Sequence, residues 1–188
     1  MFWKKKSKPA SAGRFEKVSF KQFHKDFSSL YASEADTPES SMRMIAQIYD
    51  GIKLPQRATT GSAGYDFFAP MPLYLARGKS LKFPTGIRVR IEDGWWLGIV
   101  PRSSLGFKYR IQLDNTIGVI DSDYYYSDNE GHIWAKLTNN GQQEDPVVVE
   151  AGQAFSQGIF LPYGLTDNDN TQTRRNGGIG STDKKRIK

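Results

Sequence analysis

The chain contains no cysteine, which excludes a disulfide framework, a thiol nucleophile and any cysteine-based zinc site. Histidine is almost as scarce. His24 and His132 stand far apart and form no His-Glu-x-x-His motif, which argues against a zinc hydrolase. No Gly-x-Ser-x-Gly elbow accompanies them, so His132 reads as a strand residue with its hydrogen bonds satisfied rather than as a general base. Apolar runs long enough to span a bilayer are missing too. The opening Met-Phe-Trp-Lys-Lys-Lys is followed by neither an apolar stretch nor a small-residue cleavage site, so it does not read as a secretion signal. The expectation is a soluble, cytoplasmic protein with no membrane partner.

What is present is a body with charged ends. The 188 residues suit one domain with tails, enough to bury a core without staples. The net charge of +6 is uneven: residues 1–25 carry +7 and residues 174–188 carry +5, leaving −6 for everything between. An acidic body with basic ends is not a broad nucleic-acid-binding face, so nucleic-acid binding is not expected.

Along the chain, residues 1–13 read as disordered, being rich in Lys, Ser, Ala, Pro and Gly. Phe15, Val18, Phe20, Phe23, Phe27 and Leu30 recur at spacings of two to four, with Ser19 placed to cap a short helix. Residues 33–41 read as a polar linker. From Met44 the pattern becomes short strands broken by turns: 45–49, 80–83, 87–91, 95–100, 133–137, 147–149 and 155–161. This predicts an all-β, jelly-roll-like sandwich over residues 44–165. A basic, partly helical and partly disordered extension (1–43) precedes it, and a flexible Gly-rich basic arm (166–188) follows.

Gly78-Lys79-Ser80 imitates the end of a P-loop, but Leu73 stands where the first glycine is needed, so it reads as a surface loop. Five polar, glycine-flanked islands remain: 63–69, 101–106, 115–124, 153–159 and 174–182. Taken singly, each is a surface turn or a linker. Together they supply arginines, hydroxyls and glycine N–H groups suited to a phosphate chain, with carboxylates that can act as a base or help hold magnesium.

In order and spacing these islands resemble the five motifs of the trimeric dUTPase family, over about residues 45–182. Gly118-Val119-Ile120-Asp121-Ser122-Asp123-Tyr124 is the most diagnostic string, and Asn129-Glu130-Gly131-His132-Ile133 resembles the Gram-positive and phage version. The resemblance implies hydrolysis of dUTP to dUMP and pyrophosphate, with Asp121 activating the attacking water. Arg102, Ser103, Ser104 and Gln157 would donate to the phosphates, joined by Gly178, Ser181, Thr182 and an arginine of the arm. Of Arg174 and Arg175, the Gram-positive spacing selects Arg175. Asn115, Gly118, Ile120 and Tyr124 would select base and sugar, with Tyr124 against the deoxyribose. Asp66 would organise water around Mg2+ without binding it directly. The arm departs from the family pattern, having Ile179 where an aromatic residue usually stacks on uracil. The family also implies a homotrimer. Two other readings share these features: a dCTP deaminase of the same fold, and a non-catalytic nucleotide-binding regulator. The first lacks its glutamate, since 121–123 read Asp-Ser-Asp and the next glutamate is Glu130.

Overall fold

The structure, a computed structural model, describes residues 11–31 and 37–173. It is built from antiparallel strands, beginning with β1 (Gly13–Lys17), β2 (Tyr65–Phe68), β3 (Leu73–Leu75), β4 (Ser80–Pro84), β5 (Ile87–Ile91) and β6 (Trp95–Pro101). There follow β7 (Ile111–Leu113), β8 (Gly118–Ile120), β9 (Trp134–Asn139), β10 (Val147–Val149) and β11 (Ala154–Pro162). One sheet runs β2-β11-β6-β8, a second β4-β9-β7, and β1-β5 and β3-β10 form two-stranded pairs. This is a jelly-roll-like β fold, as the strand pattern predicts.

Period-two alternation drives the layering. In β5, Ile87, Val89 and Ile91 are buried while Arg90 between them is exposed. In β9, Ala135, Leu137 and Asn139 point inward. The two larger sheets meet through aromatic edges. Phe83 of β4 lies 5.0 Å from Phe155 of β11 at 75°, and Phe67 of β2 lies 6.5 Å from Phe155. Such tilted pairs add about 0.5–1.5 kcal/mol beyond the burial of the rings themselves. The turn between β4 and β5 needs Gly86, whose φ of +76° is left-handed and whose missing side chain leaves room for Ile52.

The segment before the sandwich is integrated with it. β1 pairs along the whole of β5, and Phe15 sits among the rings of Tyr65, Phe67 and Phe160. Helix α1 (Phe20–Tyr31) follows, with Ser19 as its cap: the Ser19 hydroxyl accepts the Gln22 N–H at 3.1 Å. Phe23 and Phe27 bury its apolar face.

Residues 45–49, expected as a strand, lie instead in helix α2 (Pro38–Gly51). This helix also takes in 38–41 of the expected linker and runs through the expected boundary at Met44. Its start is written in the sequence: the Thr37 side chain accepts the Ser40 N–H at 3.2 Å, and Pro38 and Glu39 occupy the first turn. Five apolar-rich residues are too few to separate a period of 2 from one of 3.6. Ile45, Ile48, Tyr49 and Ile52 in fact recur at helical spacing, and all four pack on the core. Among the described residues no helix is long and apolar enough to cross a membrane.

Candidate active site

Two clusters flank the central strand β6. The first is an arginine–carboxylate group. β11 runs between β2 and β6, placing Gln157 opposite Asp66 on one side and Val100 on the other. Arg102 follows the end of β6 and caps helix α3 (Ser103–Tyr109) with extended backbone. Its guanidinium leans over β11, with Nε 3.4 Å from Asp66 Oδ1 and a second nitrogen 3.4 Å from the Ala154 carbonyl. Gln157 Nε2 donates to the Pro101 carbonyl at 3.5 Å. Gly64 leaves room for this amide, because a Cβ would lie 2.3 Å from Gln157 Oε1 and displace it. Ser103 and Ser104 stand exposed on the first turn of α3. The Arg102–Asp66 pair is half-exposed and stabilises the fold by at most about 1 kcal/mol. Its geometry therefore says more about binding than about stability.

The second cluster surrounds a cavity of about 530 Å3, a volume within the range of small-ligand sites. Asn115, Gly118, Ile120 and Tyr124 line it. The chain enters by a tight turn in which Thr116 has φ 63° and the Ile117 N–H reaches the Asn115 carbonyl at 2.6 Å. It then pairs as β8 with β6, Gly118 opposite Ile99 and Ile120 opposite Leu97. A side chain on Gly118 would press within 3.2 Å of Ile99 Cβ, so glycine is what lets the two strands sit this close beside the cavity. Phe155 and Ser156 line it from β11. The Ser156 hydroxyl is fully buried and has no hydrogen-bond partner among the described residues, a group that a polar ligand or water would satisfy.

Asp121 follows β8 directly and opens a 3-10 turn (Ser122–Tyr126). It is half-buried, and its carboxylate makes no capping bond to that turn. The buried Tyr124 is fixed at both sides of its hydroxyl. It donates to the His132 carbonyl at 2.8 Å and accepts from Asn129 Nδ2 at 2.8 Å.

The structure thus brings Asp66, Arg102 and Gln157 together, and separately gathers Asn115, Gly118, Ile120 and Tyr124. It does not bring Asp121 to Arg102 within one chain. Ile120 lies opposite Leu97, whereas Arg102 is five residues further along the β6 path. At ~3.3 Å per residue that is roughly 16 Å, and the arginine leans toward the opposite edge of the sheet. Arg175, Gly178, Ile179, Ser181 and Thr182 lie outside the described residues.

Sequence reasoning passed over several residues at this cavity. Lys82, Trp134 and Lys136 line it as well. The β4–β9 register sets Lys82 directly opposite Lys136, an arrangement of like charges that needs relief. Lys136 finds it in Asp114 at 2.5 Å, and Lys82 over the Trp134 ring at 4.6 Å. Burial pushes the Asp114 carboxyl up, but its bonds to Lys136 and Thr138 outweigh that and hold it below its ordinary value. Alternation in β9 was the available signal, since it puts Trp134 and Lys136 on one face. His132 is satisfied as expected, though from a loop just before β9 rather than from a strand. It is fully buried, with Nδ1 2.5 Å from Asp26 and Nε2 accepting the Gly86 N–H at 2.8 Å.

The fold is jelly-roll-like, with a half-open cavity and, apart from it, an arginine and amide cluster. The dUTPase family profile matches residues 50–183, and the chain belongs to the dUTPase family. It is 41% identical over 135 residues to the deoxyuridine 5'-triphosphate nucleotidohydrolase of Lactococcus lactis, covering 70% of this chain and 89% of that protein. To the enzyme of the same name from Sodalis glossinidius it is 37% identical over 142 residues, covering 71% of this chain and 89% of the relative. The crystal structure of the Streptococcus mutans dUTPase superposes with a TM-score of 0.56 at 38% identity, over 63% of this chain and 91% of that one. The dUTPase of Staphylococcus aureus phage phi11 shares the fold, with a TM-score of 0.53 at 16% identity over 66% of this chain and 92% of that one. A structural Mg(II) ion is described for its mutant form.

Proposed function

We propose that the protein hydrolyses dUTP to dUMP and pyrophosphate, acting in the cytoplasm as a homotrimer. The observation that carries this reading is the cavity lined by Asn115, Gly118, Ile120 and Tyr124 with Asp121 next in the chain, in a member of the dUTPase family. The base enters beside the 115–120 turn and strand, whose backbone groups meet its polar edge. The Tyr124 ring packs on the sugar and leaves no space for a 2′-hydroxyl.

Asp121 orients a water for in-line attack on the α-phosphorus and accepts its proton. Holding that water in line with the leaving group supplies most of the effect. Arg102, Ser103, Ser104 and Gln157 donate to the phosphate chain, whose negative charge shifts to the leaving pyrophosphate as the bond breaks. Arg175, Gly178, Ser181 and Thr182 add donors from the arm, and Ile179 covers the base.

Among the described residues no group of three or more His, Asp or Glu side chains could hold a metal. The lone Asp66 beside Arg102 fits Mg2+ held mainly by phosphate oxygens and water, the way this ion commonly binds. Asp66 would hold it through a water, and the ion would neutralise charge on the triphosphate.

Because Asp121 and Arg102 sit at opposite ends of β6, a working site needs Arg102 and Gln157 from one copy and Asp121 from another. This supports the oligomer. The direct test is pyrophosphate release from dUTP, dTTP, dCTP and UTP with magnesium. Wild type should act on dUTP alone, and Asp121→Asn should lower kcat by about 10²–10⁴-fold. Turnover undiminished by Asp121→Asn would remove Asp121 from the mechanism, and ammonia release from dCTP would make the protein a deaminase.

A further inference from the structure

Helix α1 precedes the residue at which the dUTPase profile begins, yet it grips the loop that fixes Tyr124. That loop turns at Asn129–His132, where the His132 N–H meets the Asn129 carbonyl at 3.0 Å and Glu130 and Gly131 both have positive φ, 57° and 68°. Glycine adopts this conformation freely. A glutamate there is strained and persists only if its surroundings hold it.

Two contacts from α1 do so. At the helix cap, the Ser19 N–H and hydroxyl both donate to the Glu130 carboxylate, at 2.7 and 2.6 Å. Two turns along, Asp26 takes His132 Nδ1 at 2.5 Å and the Gln22 amide at 2.8 Å. Since Nε2 accepts the Gly86 N–H, the ring proton belongs on Nδ1 and points to Asp26. The backbone carbonyl of the same histidine receives the Tyr124 hydroxyl. Phe23 packs between the two anchors, its ring 6.1 Å from that of His132. Burial pushes the Asp26 carboxyl up, but the bonds from His132 and Gln22 prevail and hold it below its ordinary value. It therefore stays charged as an acceptor at neutral pH.

We infer that α1 sets the position of the Tyr124 ring and thereby the discrimination between deoxyribose and ribose, with Asp26 and Ser19 as positioning residues. The inference rests on the reading that Tyr124 packs on the sugar. Steric rejection of a hydroxyl works only if the rejecting ring is held in place to a fraction of an ångström. The Tyr124 hydroxyl bonds to His132 and Asn129 tie the ring to the 129–132 turn, and α1 holds the turn.

The test compares kcat/KM for dUTP and UTP in wild type, Asp26→Asn and Ser19→Ala. Ile45→Ala, at a buried position of α2, serves as a control for loss of stability. Asp26→Asn should lower the dUTP-over-UTP ratio by at least about tenfold, mostly through a higher KM for dUTP and a gain on UTP. Ile45→Ala should leave the ratio at its wild-type value. If Asp26→Asn does not fold, Ser19→Ala carries the test, since it keeps the backbone N–H bond and loosens only one anchor. A ratio unchanged in the folded variants, or shifted equally by Ile45→Ala, overturns the role of α1 while dUTP hydrolysis by wild type stands. Wild type inert toward dUTP would instead sink the functional reading on which the inference rests.

Discussion

At the scale of single residues, the site depends on a few close approaches that tolerate no extra atom. Gly64 is the sharpest case. An alanine Cβ there meets the Gln157 amide at 2.3 Å, and the flexible amide can swing away at little cost in stability. The swing removes Gln157 from the Arg102 and Asp66 cluster. Gly64→Ala is therefore expected to melt within a few degrees of wild type while losing about tenfold or more in kcat/KM, as misplaced phosphate donors do. Normal activity would mean that Gln157 does not touch the phosphates. The carboxylates Asp26 and Glu130 make a second residue-scale prediction. Burial raises Glu130, but the two bonds from Ser19 outweigh it, so both groups lie below their ordinary values of 4.5 and, for Asp26, 3.8. A depressed carboxyl contributes stability that is complete above its ordinary value and is lost as pH falls through the folded-state value. The melting difference between wild type and the Asp26→Asn, Glu130→Gln double variant should be constant between about pH 6 and 8 and shrink below about pH 4. A difference that persists unchanged to about pH 3 contradicts the assignment.

At the scale of elements, the strands of the sandwich were legible because alternation and turn residues agree. Asp93-Gly94 between β5 and β6 is such a turn, with Gly94 at φ 80°, and the 87–91 run matches β5 residue for residue. Helix α2 was misread because the five residues from Ile45 to Tyr49 fit either period, while the start signal Thr37-Pro38-Glu39 lay inside a stretch that looked like linker. The island sequences identified Arg102, Gln157 and Asp66 as neighbours-to-be. They could not reveal Asp26 or Ser19, whose partners are 106 and 111 residues away and share no motif with them. Lys82 and Lys136 escaped for a similar reason, since cross-strand register is not written in either strand alone. Between elements, Phe155 joins the two larger sheets through Phe83, with Phe67 beside it in its own sheet. Phe155→Ala should cost about 3–5 kcal/mol in urea unfolding. A loss below about 1 kcal/mol would show that the sheets meet elsewhere.

At the scale of the whole molecule, β6 separates the two halves of the site. Its length sets Asp121 near one end and Arg102, with Asp66 and Gln157, near the other, too far apart for one chain to place water, α-phosphorus and phosphate donors together. The proposed trimer would resolve this, since closed symmetric oligomers bring different surfaces of identical chains face to face. The most direct measurement is subunit complementation. Asp121→Asn and Arg102→Ala are each expected to be inactive, and mixed trimers of the two are assayed for dUTP hydrolysis. A shared site predicts recovery to about a quarter of wild-type activity, because random assortment of an equal mixture pairs an intact Asp121 with a neighbour's intact Arg102 in that fraction of sites. No recovery in verified mixed trimers would place both residues in one chain's site and contradict the account.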